Sequence, residues 1–207
     1  MTTISASADD PKPSLLSRLV KAVVLGLFRL KGWRAQGTGP TVPKAVIVAV
    51  PHTSNWDFVY YLGLTHALGV RARFMAKRSL FKWPMGRFMR DMGGVPVERS
   101  ARGNMVDQMV REFEKRDRFL LTIAPEGTRS NVKAWKSGFY QIAHQAGVPI
   151  IPGYVDYRNR VGGLGDPIYP TGDYLADFAR LKAFYGEKVP YHPIATPDAS
   201  QQVGGKV

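Results

Sequence analysis

The chain has 207 residues, 44% of them hydrophobic and 22% charged, which suits one globular domain with a sizeable core. It has no cysteine, which excludes disulfides, thiolate metal sites and a cysteine nucleophile, and points to a reducing compartment. The net charge of +13 is uneven: residues 11–56 carry seven bases and no acid, and residues 71–118 carry thirteen bases against six acids, so each stretch is +7. Such a surface attracts nucleic acid, anionic lipid or a phosphorylated small substrate, and charge alone does not choose among them.

Residues 1–13 read as a flexible tail rich in Ser, Asp and Pro. Residues 14–31 follow as a predicted helix within a basic amphipathic segment, 14–34. At 100° per residue, Ser14, Ser17, Arg18, Lys21 and Arg29 share an arc of roughly 120° and apolar residues fill most of the rest. Two readings fit that pattern: a helix docked on an anionic membrane, or one packed on the core with its bases solvated. The uncharged apolar run here, 22–28, falls well short of the roughly 20 residues that cross a bilayer. Nor does the segment make a signal peptide, because the start is acidic and Arg29 and Lys31 stand where cleavage would occur.

A single α/β domain is predicted over residues 40–188, with a mostly parallel central sheet flanked by helices. Residues 45–50 form a continuous apolar, β-branched run and read as a buried strand. Helix is expected at 55–68, a short strand at 73–76, helix again at 84–92 up to Gly93-Gly94, and extended chain at 95–97. Asn104 is the expected N-cap of a helix over 104–115. Strand at 119–124, helix at 137–145 and strand at 148–155 complete the alternation. Residues 156–172 read as loop-rich, 173–185 as helix and 189–207 as a second flexible tail. Leu80, Phe81 and Trp83 beside Lys82 are candidates for an interfacial anchor or for the core.

Two predicted strands end on residues that carry chemistry. Pro51-His52-Thr53-Ser54-Asn55-Trp56-Asp57 follows the first, and Pro125-Glu126-Gly127-Thr128-Arg129-Ser130 follows 119–124. If both strands run the same way, both turns face one crevice beyond the sheet. Asp57 lies about one helical turn past His52, where its carboxylate can fix one ring nitrogen and leave the other as a base. Such a pair takes the proton from an alcohol attacking a carbonyl, and no serine or cysteine nucleophile is required. A surface histidine and a helix-start aspartate would give the same spacing. Gly127 permits a tight turn, and Arg129 has the fork geometry that holds phosphate, or is simply solvated.

These blocks resemble the glycerophospholipid acyltransferases typified by 1-acylglycerol-3-phosphate (lysophosphatidate) acyltransferase. Four family elements occur in order over residues 45–155: His52-x4-Asp57; Gly94-Val95-Pro96-Val97-Glu98-Arg99; Pro125-Glu126-Gly127-Thr128-Arg129; and Val148-Pro149-Ile150-Ile151-Pro152. Lys136 and Gly138 match a Lys-x-Gly after the third. The resemblance implies His52 as general base and Asp57 as its orienting partner. It implies Arg99 on the acceptor phosphate, with Glu126, Gly127, Thr128 and Arg129 shaping the acceptor site. It places Pro149 to Pro152 on the acyl or thioester side. The donor implied is acyl-CoA or acyl-carrier protein, with no metal or bound cofactor. The acceptor implied is a lysophospholipid, first 1-acylglycerol-3-phosphate, reached from an anionic membrane surface by a peripheral protein on the cytoplasmic face. Glu98 replaces the usual Asp and Ala124 the usual Phe, which leaves open an acceptor that is a non-glycerol lipid alcohol. The rivals are a non-catalytic lipid-binding module and a nucleic-acid-binding protein. No helix-turn-helix, zinc-finger or RNP motif supports specific nucleic-acid binding.

Overall fold

The computed structural model describes residues 12–52, 54, 56–98, 102–127 and 134–197. In chain order the described elements are α1 (Leu15–Leu30), β1 (Arg34–Gln36), β2 (Lys44–Val50), α2 (Asp57–Ala67), β3 (Ala72–Lys77), α3 (Gly86–Asp91), β4 (Gly94–Val97) and α4 (Arg102–Glu114). They continue as β5 (Phe119–Ile123), β6 (Ala134–Trp135), α5 (Gly138–Gln145), β7 (Ile150–Asp156), β8 (Val161–Leu164), α6 (Tyr174–Lys188) and β9 (Thr196–Pro197). A 3-10 turn, Arg78–Phe81, precedes α3.

Among the described residues, seven strands form one sheet in the order β1-β8-β7-β2-β5-β3-β4. From β7 to β4 every neighbour is parallel. Only β8 reverses against β7, and β1 then runs with β8. The sheet is therefore mostly parallel, as the alternating pattern predicts. β2 sits at its centre and is covered on both faces. Val46, Val48 and Val50 point to one side, with Leu121, Phe139 and Tyr185 in the main core under α4, α5 and α6. Ala45 and Ile47 point to the other, with Val70 and Ile151. Each of the buried Val, Leu, Ile and Phe side chains here contributes about 1.5–3 kcal/mol relative to exposure.

The helices follow their apolar spacing. α4 buries Val106, Met109 and Phe113 at steps of three and four. α6 starts on Asp173, whose carboxylate accepts from the Leu175 and Ala176 amides, and buries Tyr174, Phe178, Leu181 and Tyr185. α1 starts on Ser14 and is tied to α3 through Asp91, which accepts from Ser14 N at 2.9 Å and Ser17 Oγ at 2.6 Å. Its packed stripe is narrow: Ser17, Val24 and Phe28 are buried, while Leu15, Leu16, Leu19, Val23 and Leu30 stand exposed. Phe28 seats on Gly63 of α2, where a Cβ would lie 2.1 Å from the ring.

Several expected boundaries move. The first helix ends at Leu30, short of the 14–34 segment, and Trp33 turns the chain into β1, so the sheet recruits residues before 40. The loop-rich 156–172 stretch contains a short strand, Val161–Leu164, which pairs with β7. Asn104 is not an N-cap: α4 begins at Arg102. The 189–207 segment is no tail over 189–197, where Val189 is buried and Thr196–Pro197 pairs with Ala134–Trp135. Phe81 packs inside, whereas Trp83 is 94% exposed and Leu80 is exposed too.

Candidate active site

β2 and β5 lie side by side and parallel, with Val48 opposite Ile123, so the turns that follow them emerge at the same end of the sheet. The His52 backbone N–H donates to Glu126 Oε2 at 3.0 Å, which locks one turn to the other. Glu126 is buried, and its second oxygen, Oε1, lies 3.2 Å from His192 Nε2. Gly127 has φ of +68°, a left-handed conformation that glycine adopts freely, and a Cβ there would sit 3.0 Å from Lys136 Nζ. Lys136 N in turn donates to the Pro125 carbonyl at 3.0 Å.

His52 Nδ1 and Asp57 Oδ2 are 2.9 Å apart. Asp57 is the first residue of α2, where a carboxylate also meets the positive end of the helix dipole. Ser54 donates to it twice, from N to Oδ2 and from Oγ to Oδ1, both at 3.0 Å, and Tyr157 Oη donates to Oδ1. Burial works to raise the Asp57 carboxyl, but the hydrogen bonds from His52, Tyr157 and Ser54 outweigh it and hold the group below its ordinary value. The carboxylate therefore stays charged and fixes the Nδ1–H tautomer. Nε2 is the ring nitrogen left for the cleft that His52 lines.

That cleft has a volume of about 1380 Å³. Its polar lining includes His52, Asp57 and Lys136, with Gly127 beside them. Along α2 the lining is mainly apolar: Phe58, Tyr61, Leu64 and Leu68 from the helix face Ile47, Ala49, Gly153 and Leu164 from the sheet. Burial pushes the Tyr61 hydroxyl far up, so it is a neutral phenol on that wall. From Asp57 to Leu68 the helix runs roughly 16 Å at about 1.5 Å per residue.

The residues expected from the sequence are distributed unevenly. His52, Asp57, Glu126 and Gly127 are brought together, while Arg99, Thr128 and Arg129 lie outside the described residues. Gly127 lines the cleft, but the Glu126 carboxylate is committed to the His52 amide and the His192 ring behind it. The expectation for Pro149 to Pro152 is corrected. Ile150 and Ile151 are fully buried at the start of β7, and its far end, Gly153 to Val155, reaches the cleft. Sequence reasoning missed Tyr157 and His192. Tyr157 directly follows the β7 strand, so its position at a strand's carboxyl end was a usable signal. His192 had none, lying in a proline-rich stretch without helix or strand periodicity.

A profile of the Acyltransferase family matches residues 36–156, more than half of the chain. The chain belongs to the Acyltransferase family. The matched span includes both turns and the His52–Asp57 pair, in keeping with the motif resemblance. No curated protein matches the chain by sequence. Among solved structures it is similar to the 1-acyl-sn-glycerophosphate (LPA) acyltransferase PlsC from Thermotoga maritima. That likeness has a TM-score of 0.62 at 18% identity, over 85% of this chain and 79% of the other, and concerns the fold. Tyr157 and His192 both fall beyond the family match.

Proposed function

We propose that this member of the Acyltransferase family moves a fatty acyl group from acyl-CoA or acyl-carrier protein to a hydroxyl of a lysophospholipid, first 1-acylglycerol-3-phosphate. The observation that carries the reading is the carboxylate-oriented imidazole, 2.9 Å from Asp57, lining a cleft whose wall along α2 is mainly apolar. His52 Nε2 takes the proton from the acceptor hydroxyl as its oxygen attacks the thioester carbonyl. The tetrahedral intermediate then collapses, the C–S bond breaks, and the imidazolium returns its proton to the departing thiolate. Asp57 stays ionised throughout and stabilises the imidazolium. Lys136 offers a positive charge on the same wall to the developing oxyanion or to the acceptor phosphate. The acyl chain lies along α2.

The protein works from a membrane surface in this proposal, on the cytoplasmic leaflet. Among the described residues no helix is long and apolar enough to cross a bilayer. α1 instead leaves Leu15, Leu16, Leu19, Val23 and Leu30 in solvent, with Arg18 and Arg29 exposed on its flank. A stripe of that kind seats in the acyl–headgroup boundary and its bases meet anionic lipid. Trp83 offers a second contact of the type found at interfaces.

The test is thiol release from acyl-CoA against a panel of lysophospholipids and lipid alcohols. The chain has no cysteine, so a thiol reagent reads only the liberated CoA. Wild type is expected to turn over in the presence of 1-acylglycerol-3-phosphate, and His52→Ala to lose nearly all turnover with its fold intact. Near-wild-type activity in that variant rules out the base assignment.

A further inference from the structure

We infer that residues 189–197 form a strap that braces the His52 turn, with His192 as a positioning residue acting through Glu126; this rests on the acyl-transfer reading above. The strap is tied at both ends and in its middle. Just before it, Tyr185 Oη of α6 donates to the Val48 carbonyl at 2.7 Å, in the strand that leads to His52, and the strap's first residue, Val189, is fully buried. Tyr191 Oη then donates to Asp156, at the end of β7. His192 N donates to the Val189 carbonyl at 2.9 Å, a tight turn that aims the ring. Its Nε2 meets Glu126 Oε1 at 3.2 Å while Glu126 Oε2 accepts the His52 amide at 3.0 Å. Finally Thr196–Pro197 pairs with Ala134–Trp135, next to Lys136, whose amide is bonded to the Pro125 carbonyl.

The physics of the arrangement concerns one buried carboxylate. Glu126 is almost wholly out of water, so each of its oxygens needs a donor. The His52 amide supplies one and the His192 ring the other. Take the ring away and the carboxylate is free to rotate toward whatever solvent it can reach. The His52 amide then loses its acceptor, and the imidazole that must meet the acceptor hydroxyl loses its anchor. Displacements well below an ångström at such a group are costly in rate. His192 touches no reacting atom; its effect passes through Glu126 and the His52 backbone.

The test compares His192→Leu, His192→Gln, Glu126→Gln and Glu126→Gln/His192→Leu in full-length protein. The Gln amide nitrogen can reach where Nε2 stands, and Leu keeps the volume without a donor. In the thiol-release assay His192→Leu is expected to lower kcat about ten- to hundredfold, the scale of one lost bond to a charged group, with KM little changed. His192→Gln is expected to restore most of it, and the double variant to be no worse than Glu126→Gln alone. Equal kcat in His192→Leu and wild type, equal loss in Leu and Gln, or additive loss in the double variant each overturns the inference. Hydrogen–deuterium exchange of the peptide containing His52 gives a readout that needs no activity. Its protection is expected to fall at least tenfold in His192→Leu and to persist in His192→Gln; unchanged protection in His192→Leu overturns the strap. If His192→Leu gives no cooperative melt, His192→Asn, whose amide falls short of Glu126, takes its place under the same criteria. A wild type that is inactive on every acceptor yet shows this exchange pattern refutes the acyl-transfer reading and leaves the strap standing.

Discussion

Replacing Tyr157 by Phe removes one oxygen and little else. The ring packs edge-on against Trp33 and Tyr60, with centroids 5.7 and 5.6 Å away, and Phe keeps both contacts. What is lost is the hydroxyl that donates to Asp57 Oδ1. The carboxylate retains His52 and the two Ser54 donors, so its orientation is loosened rather than abolished. Loss of one hydrogen bond to a partly buried charged group costs about 1–2 kcal/mol, and if that cost falls on the positioned imidazole the rate drops about five- to thirtyfold. A second consequence follows from linkage. Asp57 is held below its ordinary value of 3.8, so the stability it contributes is fully present above the unfolded value and disappears as pH falls through the folded one. Removing a donor raises the folded value toward the unfolded one. That shrinks the contribution and moves the acid limb of unfolding to higher pH. Thiol release measures the first effect and circular-dichroism titration below pH 5 the second. A Tyr157→Phe protein with wild-type kcat and an unmoved acid limb refutes the view that this hydroxyl holds the carboxylate.

Three further outcomes are expected. Gly63→Ala places a methyl 2.1 Å from the Phe28 ring, so α1 must shift; stability should fall by about 1–3 kcal/mol, and an unchanged Tm in thermal melts counts against the packing of α1 on α2. Leu19→Glu should abolish flotation with anionic vesicles while leaving the melting curve within a degree or so of wild type; flotation equal to wild type contradicts the docking stripe. Leu68→Trp narrows the cleft near the end of α2 remote from Asp57 and should shift preference toward shorter acyl-CoA donors, read from competition between chain lengths; an identical length profile contradicts an acyl chain lying along α2.

Much of the architecture was legible because it rests on local pattern. The β-branched run in β2 and the apolar stretch in β5 declare buried parallel strands, and the turns after them declare where a cleft should open. The pairing of His52 with Asp57 was also legible, since one helical turn is a local distance. What was not legible depends on contacts across the chain. β1 is three residues, Arg-Ala-Gln, with no apolar signature, and is a strand only because β8 lies beside it. β8 reads Val-Gly-Gly-Leu, where two glycines look like loop, although a Cβ at Gly162 would meet Leu64 at 2.5 Å and one at Gly163 the Gln36 carbonyl at 2.5 Å. Glu126 was expected to shape the acceptor site, as the Pro-Glu-Gly-Thr-Arg resemblance implies. Only the fold reveals that its partners come from 74 residues earlier and 66 later.

The seat of Phe28 on Gly63 has a mechanical meaning. α2 carries Asp57 at its first position, forms one wall of the cleft along its length, and receives the α1 ring on its back. Gly63 and Asp57 thus belong to one helix, six residues or about 9 Å apart along its axis. Any displacement of α1 would therefore be felt at the carboxylate through one rigid rod, without crossing the sheet.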